Sequence, residues 1–238
     1  MNVLDLTLNF FINLAAGVVG ILIVLWIERQ RRPRLYMKVG IPNEIVEKPS
    51  EPRRPGKWLY VTIHNAGVPR WLAWVYSGEP AMACRAWITF YHLEGHRVYD
   101  REMNARWAAT PEPQIQVLAL ERTTAPPQSV KEAKMEQRAF VRLLDVRETY
   151  DIPAGESTNI DVVMRLREKE MAYGWCNESY LYDWKHPDWE LRQGRYLARV
   201  RVITGGREFS DAFLVVNDVP YADFRLEPAK PELKRKIS

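Results

Sequence analysis

From Leu8 to Ile27 the chain runs for twenty residues (LNFFINLAAGVVGILIVLWI) without a charged side chain or a proline. About 20 apolar residues at 1.5 Å rise cross the roughly 30 Å hydrocarbon core of a bilayer, and a helix lets a lone segment satisfy its backbone there. The stretch therefore predicts a transmembrane helix over 8–27, with the rest of the chain as its cargo. A cleaved signal peptide needs a basic start, a shorter apolar core and a small-x-small cleavage site. Asp5 is the only charged side chain before the run, so 1–7 reads as a short extracytoplasmic N-terminus.

The other flank is Glu28-Arg29-Gln30-Arg31-Arg32-Pro33-Arg34, with four arginines in seven residues. Cytoplasmic flanks carry such excess basic charge. This predicts a single-pass protein of the cell membrane, N-terminus out, with its main domain in the cytoplasm. Beyond fixing topology, Arg29, Arg31, Arg32 and Arg34 in this 28–34 collar are candidates for contact with anionic lipid, at about 1 kcal/mol each near the surface. Within the helix, Asn9, Asn13, Ala16, Gly17 and Gly20 fall three and four residues apart and share one face. Small residues let helix backbones approach, and amides in lipid seek partners. The stripe reads either as a contact with a second copy or another membrane protein, or as the incidental composition of a lone anchor.

What remains of the 238 residues suits one domain with large insertions. Residues 28–57 hold nine Lys or Arg against four Asp or Glu, and 219–238 hold five against three, so 58–218 is slightly acidic although the whole chain is +4. Nucleic-acid binding wants a basic face on the folded module, so no nucleic-acid partner is expected. Two cysteines, Cys84 and Cys176, are too few for a disulfide framework.

Short alternating segments predict strands at Leu35–Val39, Trp58–Asn65 (Leu59, Val61 and Ile63 inward), Cys84–Phe90 (Cys84, Ala86, Ile88 and Phe90 inward) and Arg97–Met103. Further strands are expected at Ile115–Leu120, around Ile160, Val162, Met164 and Leu166 on one face, from Tyr196 through Ala198, Val200 and Val202, and at Phe209–Asn217. The proline-rich 40–57 reads as a loop without regular structure. Ser129-x-x-Glu132 is a capping-box pattern that opens a short helix to about Ala139. Insertions are expected at 68–80, 104–150 and 167–193, and 219–238 as a flexible basic tail. The fold class is thus mainly β: a transmembrane α-helix, then an antiparallel β-sandwich over 35–218.

Leu191-x-x-Gly194-x-Tyr196 resembles the tyrosine corner of Greek-key sandwiches. Asn65-Ala66-Gly67, Ala83-Cys84-Arg85-Ala86, Ile152-Pro153-Ala154-Gly155-Glu156 and Gly194-x-Tyr196-Leu197 together resemble the immunoglobulin-like sandwich modules of the cell-adhesion-related (CARDB) type found in prokaryotic envelope proteins. That resemblance implies an Ig-like fold with a binding or scaffolding habit, and no catalytic residues.

Chemistry-bearing patterns are few. Asp183-x-x-His186-x-Asp188, with Cys176, has donors that suit Zn or Mn, but the flanking Trp184, Pro187 and Trp189 favour a rigid loop with His186 at its polar rim. His64, His92 and His96 lack a partner motif, and Asp161 with Glu156 reads as strand-face and turn carboxylates. Cys84 lies in the apolar phase of its strand and reads as a buried thiol. No nucleophile elbow or phosphate-binding glycine pattern occurs, so neither an enzyme nor a cofactor is expected. The aromatic surplus is the feature most open to function. Trp71, Trp74, Tyr76, Trp175, Trp184 and Trp189 form a candidate interaction surface, against which stands the need of the insertions for cores of their own. The leading expectation is a membrane-anchored structural or interaction module, an accessory subunit of a membrane complex. The alternatives are a ligand- or carbohydrate-binding sandwich that uses these tryptophans and, further off, a metal-dependent hydrolase.

Overall fold

A computed structural model describes residues 3–45, 55–69, 74, 77–121 and 138–237. Helix α1 spans Val3–Arg31, longer at both ends than the apolar run, because nothing in Glu28-Arg29-Gln30-Arg31 opposes helix. Its segment Ile12–Arg31 is long and apolar enough to cross a membrane, and none of the residues of its apolar window is buried.

The strands follow in order: β1 (Leu35–Val39), β2 (Asn43–Ile45), β3 (Gly56–Asn65), β4 (Ala81–His92), β5 (Met103–Asn104), β6 (Arg106–Trp107), β7 (Gln114–Glu121) and β8 (Arg138–Leu144). Then come β9 (Thr149–Ile152), β10 (Ser157–Leu166), β11 (Ala172–Gly174), β12 (Glu190–Leu191), β13 (Arg195–Thr204), β14 (Arg207–Val216) and β15 (Arg225–Pro228). One antiparallel sheet runs β1-β3-β10-β11-β12, with β2 on β3 and β6 on β10. A second runs β15-β14-β13-β4-β5, with β9 on β4, and β7 pairs with β8 as a separate ribbon.

One buried cluster takes side chains from both large sheets, among them Leu59, Val61 and Ile63 of β3, Ile88 and Phe90 of β4, and Val200 and Val202 of β13. These are the inward positions of the period-2 alternation, which puts every second side chain on one face. On β10 the alternation breaks. The pairing with β3 slips between Asp161 and Val163, and one extra residue in a strand reverses the faces beyond it. Ile160, Val162 and Val163 enter the main core, whereas Met164 and Leu166 join a second core with Trp58, Tyr173 and Trp175. The expectation of a single face for 160, 162, 164 and 166 is corrected accordingly.

Other expectations shift too. Asn43–Ile45 pairs with β3 inside the supposed loop. The segment Arg97–Met103 does not form a full strand: Arg97 bridges Tyr91 and Met103 pairs with Ile88. In between, Tyr99 turns aside, its hydroxyl donating to the Glu190 carbonyl at 2.5 Å. The helix expected from Ser129 falls mostly outside the described residues, and its last two positions, Arg138 and Ala139, begin β8. The tail is not loose. β15 pairs with β14, Phe224, Leu226, Ala229 and Ile237 are buried, and a short helix α2 spans Pro231–Arg235. The apolar residues between the prolines anchor it despite its charge.

Candidate functional site

The insertion 167–193 adds β11 and β12 to the first sheet, and its Tyr173 and Trp175 complete the second core with Trp58, Met164 and Leu166. Trp58, Trp175 and Trp184 meet edge to face, with centroids 5.4–6.0 Å apart, the arrangement that aromatic quadrupoles favour. On its other side the insertion packs against the main core, where a Cβ at Gly174 would stand 2.9 Å from the Met103 sulfur. Of the expected interaction surface, three described residues are taken up by packing: Trp175 and Trp189 are each 3% exposed and Trp184 is half-buried. Trp74 is 85% exposed, while Trp71 and Tyr76 lie outside the described residues.

Residues 183–188 do not assemble a metal site. His186 is buried, not at a rim. Its Nδ1 accepts from the Asp188 amide at 3.2 Å and its Nε2 lies 3.3 Å from the Glu178 carboxylate. Asp188 pairs with Arg101 and Asp183 lies 3.8 Å from Lys185. Among the described residues no three His, Cys, Asp or Glu side chains are grouped to hold a metal. Cys84 and Cys176 are free and buried, and burial pushes both thiols up, away from the reactive thiolate.

Two polar constellations escaped sequence reading, because their partners are far apart in the chain. The first is Arg106 and Asp161, brought together by the β6–β10 pairing. The guanidinium donates to the carboxylate at 2.6 Å and to the Thr110 carbonyl at 2.8 Å, with both side chains almost wholly buried. Burial pushes the Asp161 carboxyl up to about 6 from 3.8, against the pull of Arg106. The pair floors a cleft of about 390 Å³ walled by Trp58, Tyr60, Tyr180 and Trp184. Asp161 is thus no solvated strand-face carboxylate.

The second is Asn65, which is fully buried. Its Oδ1 accepts from the Arg34 amide at 3.3 Å, and its Nδ2 donates to the carbonyls of Glu79 at 3.1 Å and Ile152 at 3.0 Å. Alongside it, the Glu79 amide donates to the Arg31 carbonyl at 2.9 Å, and the side chains of Arg31 and Glu79 lie 3.9 Å apart. The C-terminal end of α1 is thereby clamped to the β-domain. A groove of about 470 Å³ opens beside this clamp, between Arg32-Pro33, Glu79-Pro80, Met82 and the β13–β14 turn with Arg207 and Phe209. Of the helix stripe, Asn13, Ala16, Gly17 and Gly20 are exposed, and Asn9 lies within α1.

Comparisons with family models, with curated proteins and with solved structures find no match to this chain. The class that fold and site define is a mainly β domain of antiparallel sheets clamped to one apolar N-terminal helix.

Proposed function

We propose that this chain is a single-pass membrane protein whose Ig-like β-sandwich serves, on the cytoplasmic side, as a structural or protein-interaction module, an accessory subunit of a membrane complex. The observation that carries this reading is the clamp at the helix end. An apolar helix with no residue of its apolar window buried is held to the domain through the Arg31 carbonyl, Arg34 and Asn65. Such a junction transmits position from an anchor to its cargo, and it supports an anchor that is kept over a leader that is removed. The arginine collar supports the inward orientation. Asn9, Asn13, Ala16, Gly17 and Gly20 are the face assigned to a neighbouring membrane helix, of another subunit or a second copy.

The glycan-binding alternative has less support, because rings that stack on sugars need open faces and Trp175 and Trp189 are buried. The hydrolase has none in the described residues. Extraction of native membranes in mild detergent is expected to bring the chain out with a second membrane component or as a dimer. Gly17→Leu with Gly20→Leu, which fills the stripe, is expected to weaken that association while leaving the chain in the membrane. A monodisperse monomer from native membranes contradicts the reading.

A further inference from the structure

Nothing in sequence alone connects the β13–β14 turn with the helix exit, but the fold puts them side by side. Arg207 reaches the Pro33 carbonyl at 3.5 Å, and both residues line the groove beside the clamp. Its walls are largely apolar, formed by Pro33, Pro80, Met82 and Phe209, with the exposed cations Arg32 and Arg207 at the edges. The one carboxylate in the lining, Glu79, already faces Arg31. Met82 is 54% exposed on the groove, and Tyr36, two residues beyond Arg34, is 58% exposed.

Depth follows from helix geometry. Four residues separate the end of the uncharged run at Ile27 from Arg31, a rise of about 6 Å, and each headgroup layer is about 5–7 Å thick. With α1 across a bilayer, the Arg31 carbonyl and the Glu79 amide bonded to it lie at the outer edge of the headgroups. The groove, opening next to them, then borders the headgroup layer. Tyr, Trp and Arg are the side chains that settle at this depth.

We infer that this groove is a docking site for an anionic phospholipid headgroup of the bilayer that α1 crosses, with the phosphate between Arg32 and Arg207 and the glycerol backbone against Met82 and Phe209. The inference rests on the proposed anchoring and adds what that reading lacks: the β-domain lies against the membrane in a set orientation. Lipid enters from the helix side and is held by two cations that sequence separates by 175 positions.

The test uses the full chain in nanodiscs of phosphatidylcholine, with and without phosphatidylglycerol, followed by amide hydrogen exchange. Exchange at Met82 and at Gly205–Phe209 is expected to slow about tenfold with the anionic lipid, as two surface cations allow. Arg32→Gln with Arg207→Gln is expected to abolish the slowing, and Arg192→Gln, in the connection that leads into the far end of β13, to leave it intact. Equal exchange in both lipids, or slowing that survives the double variant, overturns the site. Glycerol phosphate added to detergent-solubilised chain is expected to give no slowing; equal slowing there means a site for soluble phosphate esters and overturns the lipid assignment. Resistance to carbonate extraction, measured on the same variants, reports the anchor separately. Release by carbonate defeats the anchoring reading itself, whereas retention without lipid-dependent protection defeats only the groove.

Discussion

Asn65→Ala is expected to lower the unfolding free energy by about 3 kcal/mol and the midpoint of thermal unfolding by about 10 °C. The truncation removes one acceptor and two donated bonds at a fully buried position. The Arg34 amide and the carbonyls of Glu79 and Ile152 are left behind, and each unsatisfied buried group costs about 1–3 kcal/mol before the backbone relaxes. Asn65→Asp keeps the acceptor but turns a carboxylate oxygen toward two carbonyls, so it is expected to be no better than Ala at neutral pH. Near-UV circular dichroism of the chain in detergent follows the loss, since the tryptophans report the packed domain. The effect should also be local. Amides of Arg34 and Glu79 are expected to exchange faster in the variant, and those of β13 and β14 to change little below the melting range. A loss under 1 kcal/mol would mean that the clamp is decoration on a junction held by other contacts.

Arg106→Met is expected to cost about 3–5 kcal/mol near pH 8, the penalty for stranding a buried charge. The pH dependence identifies the cause. In the wild type the Asp161 carboxyl is raised to about 6 from 3.8, so between these values the folded state holds a proton that the unfolded chain releases. Its contribution to stability is complete below 3.8 and is lost as the pH rises through 6. Removing Arg106 removes the one strong influence that lowers this carboxyl. The variant's carboxyl therefore rises further, and its deficit against the wild type shrinks as the pH falls toward 5. Part of the cost, about 1 kcal/mol from the lost bond to the Thr110 carbonyl, stays at every pH. Arg106→Met with Asp161→Asn is expected to recover most of the stability and to flatten the slope, because a pair of buried charges is often replaceable by uncharged groups. Equal cost of Arg106→Met at pH 5 and pH 8 would contradict this assignment.

These two sites show where sequence reading stops. Leu59, Val61 and Ile63, or Val200 and Val202, are legible because alternation is local and one face of each strand meets the core. The apolar run is legible because length and composition alone define it. The bulge at Asp161–Val163 is not, since a one-residue slip leaves no mark in an apolar segment, and with it went the faces of Met164 and Leu166. Arg106 and Asp161 are 55 residues apart and meet only through a two-residue strand. The insertion tryptophans were visible as a surplus, but the packing of Trp175 and Trp184 depends on Trp58 from a strand over a hundred residues earlier. The tail looked loose because charge and proline dominate its composition, whereas Phe224, Leu226 and Ile237 decide its place.

Protease accessibility of the β-domain, compared between intact cells and inverted membrane vesicles, bears most directly on the reading of a retained anchor with its cargo inside. Protection in cells with digestion in inverted vesicles, and an intact Leu8–Ile27 segment in the membrane-bound product, is the expected result. Digestion in intact cells, or a mature chain that begins beyond Trp26, would contradict it.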